Sequence, residues 1–117
     1  MTGRSWELVL YTSAAGRCPV GDYVGGLDRD DRLRVADCLD LLEAFGLDLG
    51  APHVRSLGDK LWELRVTGHV QHRVLHFATT GRALVLLHAF TKKTVKTSPG
   101  ELKTARRRMA DYVRRAG

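Results

Sequence analysis

Lys60–Val66 (KLWELRV), His72–Ala78 (HRVLHFA) and Ala83–Phe90 (ALVLLHAF) follow one another in the second half of the chain, and reading these three apolar runs decides the fold. Each is rich in aliphatic and aromatic side chains. Gly68 and Thr79-Thr80-Gly81-Arg82 separate them. Runs of this length between turn-forming residues predict a meander of antiparallel strands. Side chains alternate across a strand, so Trp62, Leu64 and Val66 face one way and Leu61, Glu63 and Arg65 the other. One face is expected to pack on helices and the other to present charge to solvent.

Working outward, Trp6–Tyr11 (WELVLY) has the composition of a first strand. Pro19 stands where a helix accepts it, at the first turn. Val20, Tyr23, Val24 and Leu27 then recur at the spacing of a short amphipathic helix, weakened at its end by Gly25 and Gly26. Asp28 can cap a second helix running to about Phe45. There Val35, Cys38, Leu39, Leu42 and Phe45 form the apolar stripe, and Gly46 is placed to stop it. From Pro99 to about Arg115, a third helix carries Leu102, Ala105, Met109, Tyr112 and Val113 on one side. Lys103, Arg106, Arg107, Arg114 and Arg115 lie on the other. The order β-α-α-β-β-β-α predicts an α+β fold, an antiparallel sheet packed on two N-terminal helices with a basic C-terminal helix.

A chain of 117 residues, 44% hydrophobic and 27% charged, supports one compact core and is too short for two ordinary domains. Residues 1–117 are therefore expected to form a single domain. No apolar stretch approaches the ~20 residues that span a bilayer. Met1–Val9 shows no signal-peptide run, so a cytoplasmic location is expected. Cys18 and Cys38 are too few and too far apart for a zinc module or a disulfide framework, and read as small packed side chains.

The net charge of +6 is unevenly spread. Residues 1–50 hold five arginines against nine acids, whereas residues 51–117 hold fourteen lysines and arginines against four acids. Charge segregated in this way makes a directed field that draws in a polyanion. The densest feature is Thr91-Lys92-Lys93-Thr94-Val95-Lys96-Thr97, three ammonium groups and three hydroxyls after the last strand. Lysines bind phosphate as mobile point charges and hydroxyls position its oxygens. Arg65 and Arg73 lie inside apolar strands, where a guanidinium is costly unless it meets solvent, an acid or a ligand. For Arg65 an ion pair with Glu63 or Glu101 is the plainer reading, and for Arg73 an edge position.

The histidines add less. His69 and His72 have HxxH spacing but no matched acid or cysteine, so no metal is expected. His53, beside Pro52, reads as surface, and His76 and His88 as strand residues with structural roles. His88, four residues before Lys92, is also a candidate proton carrier or phosphate contact. No GxxxxGK[ST] loop, Ser-His-Asp order or cluster of metal-binding carboxylates is present, so no cofactor is expected. Attack by an RNA 2′-hydroxyl on its own phosphate needs orientation, stabilisation of charge and proton transfer, all of which side chains can supply. A lysine crowded by like charge, as Lys92 and Lys93 would be, could move such a proton.

Cys18-Pro19-Val20, Leu39–Gly46 (LDLLEAFG), Leu57–Arg65 (LGDKLWELR), Arg73–Phe77 (RVLHF) and Leu86–Lys96 (LLHAFTKKTVK) come in order before Pro99 and the Arg-rich helix. Together they resemble the RelE/ParE-like toxins, and within them the HigB branch related to the phage Gp49 proteins, over about residues 6 to 115. The resemblance implies a toxin that cleaves mRNA in the ribosomal A site without a metal. It also implies a partner antitoxin, commonly with a helix-turn-helix domain. It points to Arg65, Arg73, Lys92 and Lys93 as catalytic residues, with Lys96, Lys60, His88, Lys103, Arg106 and Arg107 as RNA contacts. Relatives often have a tyrosine soon after the lysine loop, but here none lies between Tyr23 and Tyr112. His76 also stands where an aromatic is common, so the general acid and base stay unassigned. The same fold also serves ParE-type gyrase inhibitors, and a non-catalytic nucleic-acid-binding regulator would use the basic half alone.

Overall fold

The computed structural model describes residues 6–116. Residues 1–5 of the Met1–Val9 stretch, read above for a signal peptide, lie outside the described residues. Along the chain come β1 (Glu7–Leu10), α1 (Pro19–Gly25), α2 (Arg29–Phe45), a 3₁₀ turn (Gly46–Asp48), β2 (Val54–Gly58), β3 (Leu61–Val66), β4 (His72–Thr79), β5 (Ala83–Thr91) and α3 (Pro99–Ala116). The strands form one sheet in the order β1-β5-β4-β3-β2. The α+β fold and the order of its main elements are as the sequence predicts.

Local signals set the helices. The Asp28 side chain accepts from the Asp31 N–H at 2.9 Å and caps α2. Gly46 ends α2 at φ 55°, and the Trp6 indole lies where a Cβ at this position would be. A left-handed backbone and a close neighbour thus both call for glycine here.

The sheet departs from expectation in two ways. It is mixed, because β1 runs parallel to β5, with Glu7 opposite Ala83 and Leu10 opposite Leu86. It also has a fifth strand, β2, in a segment read as a connection. The β2–β3 hairpin turns at Asp59 and Lys60, both at positive φ (48° and 70°), as a two-residue type I′ turn requires. Lys60 is therefore in the turn, and the strand begins at Leu61.

Two apolar clusters lie on opposite faces of the sheet. Leu64, Val66, Val74, Leu84 and Leu86 pack with Val20, Val35 and Leu42 from α1 and α2. Leu61, Leu75, Phe77, Val85 and Leu87 pack against Ala105, Leu102, Met109 and Tyr112 of α3. The second face, expected to open to solvent, is thus largely covered by the apolar stripe of α3. Charge reaches that face only at its end, beside Glu63, Arg65 and Arg73. A bulge helps shape this end, since Leu75 pairs with His88 and His76 with Leu86, leaving Leu87 over. Leu87 joins the α3 cluster and His88 meets α3 directly. Among the described residues, no helix is long and apolar enough to cross a membrane.

Candidate nucleic-acid site

Strand register assembles the site. Arg65 of β3 stands directly opposite Arg73 of β4, and Arg55 of β2 directly opposite Glu63. Residues two apart on a strand share a face, so Glu63 and Arg65 point the same way. Lys92 follows β5, and its backbone N–H donates to the Gln71 carbonyl at 2.8 Å. Three cations, Arg55, Arg73 and Lys92, thus gather around one carboxylate, with Arg65 beside Arg73.

Glu63 is only 1% exposed. Its Oε1 lies 3.3 Å from Arg55 Nη2 and 3.8 Å from Arg73 Nε, and its Oε2 accepts from the Thr97 hydroxyl at 2.5 Å. Lys92 Nζ donates to the same Thr97 oxygen at 3.3 Å. Arg73, 3% exposed in a central strand, donates from Nη1 to the His72 carbonyl at 3.0 Å and from Nη2 to Gln71 Oε1 at 3.1 Å. The Arg73 guanidinium is thus locked in position, and is not at an edge. Glu63 pairs with Arg55 and Arg73, and none of the described ion pairs joins it to Arg65.

The charges do not cancel. Like charges directly opposite on a sheet repel, yet Arg65 and Arg73 are paired there with Arg55 and Lys92 nearby. The buried Nε atoms of both strand arginines have no hydrogen-bond partner among the described residues. Burial lowers the pKa of Lys92 below the usual lysine range; Arg73, Arg55 and Arg65 push it the same way against the pull of Glu63. Burial likewise lowers that of Arg73, opposed by Glu63 and aided by Arg65 and Arg55. An arginine still keeps its charge at neutral pH. An unbalanced, preorganised set of donors suits an anion with several oxygens, such as a phosphodiester.

Beyond the strands, residues 92–98 form a loop in which Thr94 Oγ1 donates to the Lys96 carbonyl at 2.5 Å. Lys92 is half-buried, Lys93 and Lys96 are exposed, and Val95 at the tip is 95% exposed. The loop walls an open pocket of about 120 Å³ with Phe90, Lys92, Lys93, Thr94, Ser98 and Glu101 on its lining. Behind Glu101 lies His88, its Nε2 2.6 Å from Glu101 Oε1 and its Nδ1 3.0 Å from Arg108 Nη1. Arginine only donates, so Nδ1 must accept and the proton sits on Nε2, facing the carboxylate.

The remaining site residues read from the sequence are dispersed. Lys60 occupies the β2–β3 turn, at the far end of β3 from Arg65. Arg106 donates to the Leu57 and Gly58 carbonyls at 3.4 and 3.3 Å and braces that hairpin. Lys103 and Arg107 are exposed on α3. His72 is buried, with Nδ1 2.6 Å from the Tyr23 hydroxyl and Nε2 3.6 Å from Asp31. Among the described residues, no three His, Cys, Asp or Glu side chains are grouped to hold a metal.

Sequence reasoning missed Arg55 and the anchoring role of Thr97. Arg55 could be found only by recognising β2. Thr97 counted merely as one of the loop hydroxyls.

No curated protein matches the chain. A family model described as "Phage derived protein Gp49-like (DUF891)" matches residues 22–110, a span that contains Arg55, Glu63, Arg65, Arg73, the lysine loop and Glu101. The chain thus belongs to the phage-derived Gp49-like family, one associated with toxin-like phage proteins.

Proposed function

We propose that this protein is the toxin of a type II toxin–antitoxin pair and acts as a metal-independent endoribonuclease on mRNA in the ribosome. One observation carries the reading: Arg55, Arg73 and Lys92 gather around the buried carboxylate of Glu63, with Arg65 opposite Arg73, leaving positive charge unbalanced beside a lysine loop. Membership in a toxin-like family supports it. Arg73 and Lys93 would stabilise charge on the scissile phosphate with Lys92 beside them, while Arg65 and Lys96 hold the flanking backbone. The exposed Lys103 and Arg107 of α3 would lie against ribosomal RNA. The partner would be an antitoxin with a helix-turn-helix domain.

The test is brief induction in cells followed by mapping of new mRNA 5′ ends against the reading frame. Ends phased with codons are the expected result. Intact mRNA together with growth arrest would overturn the reading, and a DNA-damage response without mRNA cleavage would replace it with gyrase inhibition.

A further inference from the structure

Glu101 is the one carboxylate on the lining of the lysine-loop pocket. For binding alone it is misplaced, because a carboxylate beside Lys92 and Lys93 repels the phosphodiester that they attract. As a clamp for His88 it is also more than is needed, since an amide oxygen would accept the same N–H. Beyond what an amide offers, a carboxylate brings a charge, which suits the first turn of α3, and the capacity to take up a proton at the pocket.

We infer that Glu101 is the general base that removes the proton from the attacking 2′-hydroxyl, held in position by His88 and Arg108. The inference rests on the ribonuclease reading given above. Glu63 cannot take this part, being 1% exposed with both oxygens turned to Arg55, Arg73 and Thr97. His88 cannot act directly, because Arg108 occupies Nδ1 and Glu101 occupies Nε2. Glu101 spends Oε1 on His88, and its side chain remains one-third exposed at the pocket. His88 is fixed in turn by stacking on Phe90, with ring centroids 5.4 Å apart. This chain of contacts from α3 to β5 aims the carboxylate. His88 and Arg108 are therefore positioning residues.

In the step, the 2′-hydroxyl proton passes to Glu101 as the 2′-oxygen–phosphorus bond forms. The bond from phosphorus to the 5′-oxygen breaks with its electron pair, and the departing oxygen takes a proton from the Lys92 ammonium. The products are a 2′,3′-cyclic phosphate and a 5′-hydroxyl, and solvent restores both side chains. The lowered pKa of Lys92 eases its donation.

Facing Glu101 are His88 from β5, Arg108 through His88, Lys92 and Lys93 from the loop, and Tyr23 of α1, whose hydroxyl senses the Glu101 charge. The test follows cleavage of a defined mRNA on purified ribosomes by wild type, Glu101→Gln and Glu101→Asp, from about pH 5 to about pH 8. Wild-type cleavage should fall toward the acid end, as general-base catalysis requires. Glu101→Gln can still accept from His88, yet it should cleave about 100-fold more slowly and lose the acid limb. Glu101→Asp should be slower than wild type and keep that limb.

Cleavage by Glu101→Gln with an unchanged acid limb, whether slowed or not, would overturn the assignment while sparing the ribonuclease reading. No cleavage by wild type would overturn both. If Glu101→Gln fails to fold by circular dichroism, Glu101→Asp decides, and a wild-type rate in that variant would overturn the assignment.

Discussion

The Thr97 hydroxyl donates to Glu63 Oε2 at 2.5 Å, joining residues 34 positions apart. Through this bond and the contact of Lys92 with the same hydroxyl, the lysine loop is tied to the middle of β3. Thr97→Val keeps the shape but leaves a buried carboxylate oxygen without its donor. The variant should lose about 1–3 kcal/mol in urea unfolding, and amides of residues 92–98 should exchange faster. Thr97→Ser should restore both.

Arg73 holds two acceptors at once, the His72 carbonyl and Gln71 Oε1, with a planar fork that lysine lacks. Arg73→Lys preserves the charge of the cluster and loses that orientation. Cleavage on ribosomes should drop about 10-fold or more, while the unfolding midpoint moves little. Wild-type activity would show that charge alone suffices at this position.

His76 is fully buried, and burial pushes its pKa down to about 4 from the ordinary value of 6.5. Above pH 6.5 the ring is neutral in both folded and unfolded chains and costs nothing. As pH falls from 6.5 to 4, the unfolded chain takes up a proton that the folded one refuses, so stability drains away across this window. The loss should approach about 3 kcal/mol by pH 4. His76→Phe should flatten the profile, as read by urea unfolding at several pH values. An equally steep decline would assign it to other groups.

Lys96 is exposed and makes no ion pair among the described residues. Lys96→Ala should leave the thermal midpoint unchanged while weakening RNA binding. The slope of log affinity against log salt should become shallower by about 0.7, the release of one counterion from a single strand. Lys103→Ala and Arg107→Ala should leave that slope alone on a short single strand, if α3 touches only ribosomal RNA.

Chain order and helix ends were legible because the signals are local: Pro19 at a helix start, Asp28 at a cap, Gly46 at a stop. β2 was not, because Asp59 and Lys60 adopt a turn usually marked by Asn-Gly. The parallel pairing of β1 was hidden too, since its partner lies 76 positions away and alternation of side chains carries no direction. In the site, Arg65, Arg73 and Lys92 stood out as charges in or beside apolar runs. Their grouping around Glu63 did not, because the sequence offers Glu63 or Glu101 as a partner for Arg65, whereas the register sets Glu63 opposite Arg55. His88 was visible as a residue near the loop. Its tautomer and its hold on Glu101 depend on Arg108, one helix away.

The parallel pairing of β1 with β5 has a consequence for how the chain assembles. β2 to β5 zip through short turns, whereas Glu7 must close a long loop to reach Ala83. Loop-closure entropy makes that the slow step, so β1 is expected to dock after the meander has formed. During synthesis, moreover, the carboxylate of Glu63 waits for a partner made 34 residues later. A protein whose active groups gather around that pair would stay harmless to the ribosome making it until Thr97 has emerged.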